Sequence, residues 1–109
     1  MDCETFITAD LDGIIIAVTG ASDRLLGYDA ADLVGQPIET IVASQYCSRH
    51  SAGMAEVRAG REIREETISG RARHRDGYDV PVLVSLETVG TEPRTIRAKI
   101  SRILTLELT

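Results

Sequence analysis

The amino-acid sequence predicts an α+β domain: a five-stranded antiparallel sheet with short helices packed on one face. Two β-prone runs, Thr5 to Ala9 and Ile14 to Val18, come first, then a stretch punctuated by helix caps and stops. Three longer runs follow, Ile63 to Arg75, Tyr78 to Val89 and Thr95 to about Leu106, in which the apolar period switches to two. Asp12-Gly13 and Asp76-Gly77 stand where neighbouring strands must reverse, and the glycine of an Asp-Gly step supplies the positive φ of a tight hairpin turn. Two strands before a helical block and three after it form one sheet with helices on one side, a two-layer arrangement around one core.

The elements follow in order. Thr19 or Ser22 can cap a helix through Leu26 that Gly27 closes, and Asp29 can cap a second over Ala30 to Val34, with Gly35 as its left-handed stop. Pro37 prevents its continuation, and Glu39 to Ala43 reads as one more short turn of helix. The longest helix is predicted from about Ser44 to Ala59, ending at Gly60. It places Tyr46, His50, Met54 and Val57 on one face at spacings of four, four and three. In the strands, Ile68, Gly70 and Ala72 share a face, as do Val80, Val82, Val84 and Leu86, and Ile96, Ala98 and Ile100. Pro81 falls on the face opposite the valines, and its missing N–H predicts an edge position or a bulge.

Composition narrows the function. A chain of 109 residues with 43% hydrophobic and 27% charged residues suits one soluble domain with a single core. That core is aliphatic, because the chain has no Trp, one Phe and three Tyr. A net charge of −5 argues against tracking a nucleic-acid backbone, which needs clustered Lys and Arg. Arg71, Arg73, His74 and Arg75 do gather, but Glu62, Glu65, Glu66 and Asp76 flank them, so the run reads as a solvated strand face or a docking patch. The longest apolar run, Ile14 to Val18, is far below the ~20 residues of a membrane span, so no membrane insertion is expected. Cys3 and Cys47 form no paired motif and, without a signal peptide, suit a reducing cytoplasm.

Little in the chain points to catalysis. Cys47 and His50 are three apart on the predicted helix, the spacing of an activated thiolate, but neither an oxyanion site nor an orienting group accompanies them. Spacing does not bring His74 to that helix as a metal ligand, and a turn accounts for Asp10 and Asp12. Gly13, Gly20 and Gly27 are too scattered for a phosphate loop. No enzyme is predicted.

Two ordered sets of residues resemble a known family. Asp12-Gly13-Ile14, Leu25-Leu26-Gly27-Tyr28 and Asp32-Leu33-Val34-Gly35-Gln36-Pro37 are similar to the N-terminal half of PAS domains. Arg75-Asp76-Gly77, Val80-Pro81-Val82 and Val84-Ser85-Leu86 resemble the second half, and the likeness spans roughly Thr5 to Arg102. The resemblance implies the PAS fold over the whole of residues 1–109, as one sensor domain cut from a larger signalling protein such as a histidine kinase or a cyclic-dinucleotide enzyme. It implies a small-molecule ligand or cofactor held between helices and sheet, an effector domain in the parent protein, and a homodimer. The alternative is a ligand-free interaction module, to which an apolar tail of Leu104, Leu106 and Leu108 would lend contact area.

Within the family, Ser48-Arg49-His50 resembles the segment carrying the proximal ligand of FixL-type haem sensors. That makes His50 a candidate axial ligand, for which neutral imidazole is suited. Its other reading is a packed or hydrogen-bonded residue without metal. Ile63, Val84 and Leu86 fall where such domains line the distal pocket, and Met54 lies one turn on from His50. Ile68 takes the place of the arginine those sensors use beside oxygen, which departs from their polar switch. The candidate cofactor-binding set is therefore His50, Met54, Ile63, Ile68, Val84 and Leu86, with haem b as the cofactor the resemblance suggests. Flavin photochemistry is not expected, since Ile38 stands near the place of the reactive cysteine. Lys99-Ile100-Ser101 departs from the acidic-aliphatic-Thr exit common in the family.

Overall fold

The computed structural model describes residues 4–103. Five strands, β1 (Thr5–Ala9), β2 (Ile15–Gly20), β3 (Glu66–Arg73), β4 (Asp79–Val89) and β5 (Thr95–Arg102), form one antiparallel sheet in the order β2-β1-β5-β4-β3. The N-terminal hairpin therefore adds to the last strand: Ile7 stands opposite Val18 on one side and Ala98 on the other. The helices α1 (Ser22–Leu26), α2 (Ala30–Leu33) and α3 (Cys47–Arg58), with 3-10 turns at Ile38–Ile41 and Ser44–Tyr46, occupy the connection from β2 to β3. The predicted layer pair is the observed one.

Alternation in the strands sets the core. Ile7, Ile15, Ala72, Val80, Val82, Ala98 and Ile100 pack in one cluster against Leu25, Leu26 and Leu33 of the short helices. Helices of four or five residues are unstable alone in water, so packing must hold them. Leu25, Leu26 and Leu33 are wholly buried, each worth about 1.5–3 kcal/mol. The predicted caps make no side-chain hydrogen bonds: Ala21, not Thr19 or Ser22, is the N-cap of α1, and Asp29 caps α2 by position alone. Instead the backbone ties α1 to the sheet, with Ala21 N–H donating to Glu4 O at 2.9 Å.

Several boundaries differ from expectation. β2 starts at Ile15, because Ile14 bridges to Pro37 instead. The long helix starts at Cys47 and not Ser44. Ala43 N–H donates to Arg71 O and Arg73 bonds the Ser44 hydroxyl, which pins the chain to β3 through one tight turn before the helix can open. β3 begins at Glu66, opposite Leu86, and Ile63 lies before it. Ile63 is clamped by Thr88, whose N–H donates to Ile63 O at 2.8 Å and whose hydroxyl accepts from Ile63 N–H at 3.1 Å. The predicted continuation of β5 to Leu106, with Leu104 and Leu108, lies outside the described residues.

Pro81 is neither on an edge strand nor at a bulge. β4 lies between β5 and β3, and Pro81 sits in an unbroken register opposite Arg71. Its carbonyl faces the β5 side and accepts from Ile103 N–H, one residue beyond the paired end of β5. A residue's N and O point the same way in an antiparallel ladder, so the absent N–H falls where β5 pairing has run out.

Candidate functional site

Register shows which part of the inner sheet face the helices cover. Thr5, Ile100, Val84 and Ile68 lie opposite one another in a row across β1, β5, β4 and β3. Along this row Thr5 and Ile100 are buried, Val84 is half-buried and Ile68 is 48% exposed. The neighbouring row repeats the gradient: Ile7 and Ala98 are buried, Leu86 is half-buried and Glu66 is exposed. The cover is thus tight over β1 and β5 and over Val80, Val82 and Ala72. It thins only where Val84 and Leu86 of β4 meet Ile68 and Glu66 of β3, leaving a short apolar strip edged by Glu66. Thr5 stands at its closed end, where its hydroxyl oxygen is buried without a hydrogen-bond partner.

α3 frames the strip. Tyr46, at the helix start, approaches Gly70 of β3 within 4.0 Å of where a Cβ would lie. Two turns on, Met54 and Val57 are buried with Ile63 and Ile96 in a second cluster that Leu86 and Leu11 complete. Of the candidate set, Met54, Ile63 and Leu86 therefore come together, Val84 packs against the main core, and Ile68 lies exposed on the same sheet face.

His50 does not join that group. It lines a groove of about 190 Å³ with Asp12, Gly13, Ile38, Glu39, Ser51 and Met54, and only Met54 is shared with the candidate set. Its side chain is 26% exposed, and its Nδ1 lies 3.5 Å from Glu39 Oε2 without making a hydrogen bond. Ser51 Oγ donates to the same carboxylate oxygen at 2.7 Å. That bond, aided by His50, holds the Glu39 carboxyl below its ordinary pKa against a smaller opposing effect of burial. Sequence gave no signal for Glu39 and Ser51 here, since they belong to different elements twelve residues apart.

The Cys47–His50 pair does not form a dyad. The Cys47 thiol points to the carbonyls of Val42 and Ala43, at 3.8 and 3.7 Å, while His50 faces Glu39. Among the described residues no three His, Cys, Asp or Glu side chains gather as a metal set, and no helix is long and apolar enough to cross a membrane.

The groove that His50 lines is smaller than the ~300–1,000 Å³ usual for ligand pockets, and Val84 and Leu86 pack with the core clusters and are not among its lining.

Solved structures with this architecture are numerous. The PAS domain of an HTR-like protein from Haloarcula marismortui is 22% identical, with a TM-score of 0.74 over 92% of this chain and 81% of that one. A PAS domain from a two-component sensor histidine kinase is 19% identical, with a TM-score of 0.73 over 93% and 86% of the two chains. The PAS domain of the Cronobacter turicensis quorum-sensing receptor RpfR, in complex with BDSF, is 15% identical, with a TM-score of 0.68 over 94% and 95%. No curated protein matches the chain. The sequence profile of the PAS domain matches residues 3–102, nearly the whole chain and both halves of the fold described above. The chain belongs to the PAS domain family.

Proposed function

We propose that this PAS domain is a sensor that takes a small, largely apolar molecule between α3 and the β4–β3 end of the sheet. The observation that carries the reading is the burial gradient along Thr5, Ile100, Val84 and Ile68. Exposed apolar surface beside a packed core is where a ligand gains most by leaving water, at roughly 25 cal/mol per Å². A ligand there would touch β4 and β3 directly, and it shifts the domain only as far as it binds two conformations differently. The similar PAS domains from a sensor histidine kinase and from a receptor holding BDSF support a place in signalling. In this reading the domain is one module of a longer protein and passes its state to an effector through the segment after Arg102.

The test is a titration with anilinonaphthalene sulfonate, an apolar fluorescent probe, of the wild type and of Ile68→Glu. Saturable binding that Ile68→Glu weakens at unchanged secondary structure supports the seat, and equal binding by the two proteins refutes it. An absorption spectrum after haem supplementation decides the cofactor: a Soret band lost in His50→Ala would replace this reading with haem.

A second reading rests on the outer sheet face, where Phe6 and Leu83 are 39% and 42% exposed. They would seat a second copy of the chain if the domain acts as an interaction module. Sedimentation of the wild type and of Phe6→Glu/Leu83→Glu distinguishes the two: a dimer lost in the double variant favours association, and a monomer in both argues against it.

A further inference from the structure

The turn between β3 and β4 is docked on the end of α1 through a histidine. His74 is only 11% exposed and lies flat on Tyr78, with ring centroids 4.3 Å apart and planes 13° from parallel. Its other neighbour is Gly27, the left-handed C-cap of α1 at φ +79°, so close that a Cβ there would lie 2.5 Å from His74 Cε1. The backbone repeats the contact, with Arg75 N–H donating to Leu26 O at 2.8 Å.

The ring also takes a hydrogen bond. Asp76 N–H donates to His74 Nδ1 at 3.1 Å, so Nδ1 must carry a lone pair and the ring proton belongs on Nε2. A proton added at Nδ1 turns the acceptor into a donor facing another donor. The charged groups facing the ring are few. Asp76 Oδ2 is 3.8 Å from Nδ1 and ready to accept the new N–H, and Arg75, 3.9 Å from Asp32 of α2 and 5.9 Å from the Tyr28 ring, places positive charge nearby. Tyr78, stacked on the ring, is a titratable neighbour, and Tyr28 lies beneath the Arg75 guanidinium.

We propose that His74 is a proton-sensitive pin: neutral, it holds the β3–β4 turn on Gly27, and protonated, it exchanges the Asp76 amide for the Asp76 carboxylate and loosens the turn from α1. Histidine is the side chain suited to such a switch, since its charge changes between about pH 5 and 8. The device is independent of any ligand and lies at the turn end of β3 and β4, the two strands that border the apolar strip.

Amide and ring-proton NMR of the whole chain from about pH 8 to about pH 5 tests it, together with hydrogen exchange corrected for intrinsic rates. The Asp76, Arg75 and Gly27 amides should shift with the midpoint of the His74 ring, and Arg75 protection should fall about five- to tenfold, the worth of one hydrogen bond. His50→Gln, which removes the other described imidazole, should leave this step intact. His74→Phe, which keeps a ring on Tyr78 and Gly27, should abolish it. The same step in His74→Phe overturns the proposal. So does a wild-type His74 ring that titrates while those amides stay still, a reading that needs no variant to fold.

Discussion

Replacing Gly20 by Ala perturbs the joint between β2, β1 and α1 by one methyl group. Gly20 closes β2 opposite Thr5 at φ +91°, and a Cβ there would lie 2.3 Å from Glu4 O and 3.2 Å from Thr5 Cα. Both are backbone atoms, so no side chain can swing aside. Glu4 O is also the acceptor for Ala21 N–H, the bond that starts α1. The left-handed backbone costs about 1–2 kcal/mol for a residue with a Cβ, and loss of the Ala21 bond adds about 0.5–1.5 kcal/mol. At about 4–8 °C per kcal/mol for a domain of this size, melting should fall by about 10–20 °C. Gly35→Ala is the matched control, because Gly35 has φ +93° but nothing within 4 Å of its Cβ position. It should lose only the backbone part, about 6–12 °C. The assay is thermal melting followed by circular dichroism for both variants side by side. Equal melting temperatures would refute the clash, and a Gly20→Ala protein as stable as wild type would refute the joint itself.

Three further outcomes follow. Leu33→Ala should cost about 2–5 kcal/mol in urea unfolding, and amide exchange should rise first over Ala30–Leu33, since Leu33 is the only buried residue of α2. Val84→Asp should destabilise by about 1–3 kcal/mol, because it sets a carboxylate against the main core cluster, and wild-type urea stability would contradict its inward placement. The Glu39 carboxyl has a folded pKa below its unfolded one, so its contribution is present above the unfolded value of about 4.3 and is lost as pH falls through the folded value. Glu39→Gln should therefore flatten the acid limb of urea stability against pH while leaving the region above about pH 6 nearly parallel to wild type. An unchanged acid limb would contradict the Ser51–Glu39 contact.

What could be read from the sequence was whatever a short local pattern specifies. Alternation in Val80, Val82, Val84 and Leu86 placed the inner face of β4, and the Asp-Gly steps placed the β1–β2 and β3–β4 turns, with Gly13 at φ +82° and Gly77 at φ +97°. Boundaries failed where a distant partner decides. Ile63 is apolar and reads as the opening of the strand, but it is out of phase with Ile68, Gly70 and Ala72, and Thr88 holds it outside the ladder. Ser44 continues the helical pattern, yet contacts with β3 hold it in a separate turn. The site was less legible for the same reason. The face shared by Tyr46, His50, Met54 and Val57 says nothing of what lies opposite, and His50 meets Glu39 while Met54 and Val57 meet Ile63 and Ile96. His74 hid in a run of arginines that reads as a solvated face, because only the docking of the turn on Gly27 buries it.

The central claim, an apolar ligand seat on the uncovered end of the inner sheet face, is tested most directly by methyl NMR. Ile, Leu and Val methyls would be followed during titration with anilinonaphthalene sulfonate. The account predicts saturable shifts at Ile68, Val84 and Leu86, with Leu83 on the opposite face unmoved. Shifts confined to Leu83, or none at Ile68 and Val84 at saturation, would contradict it.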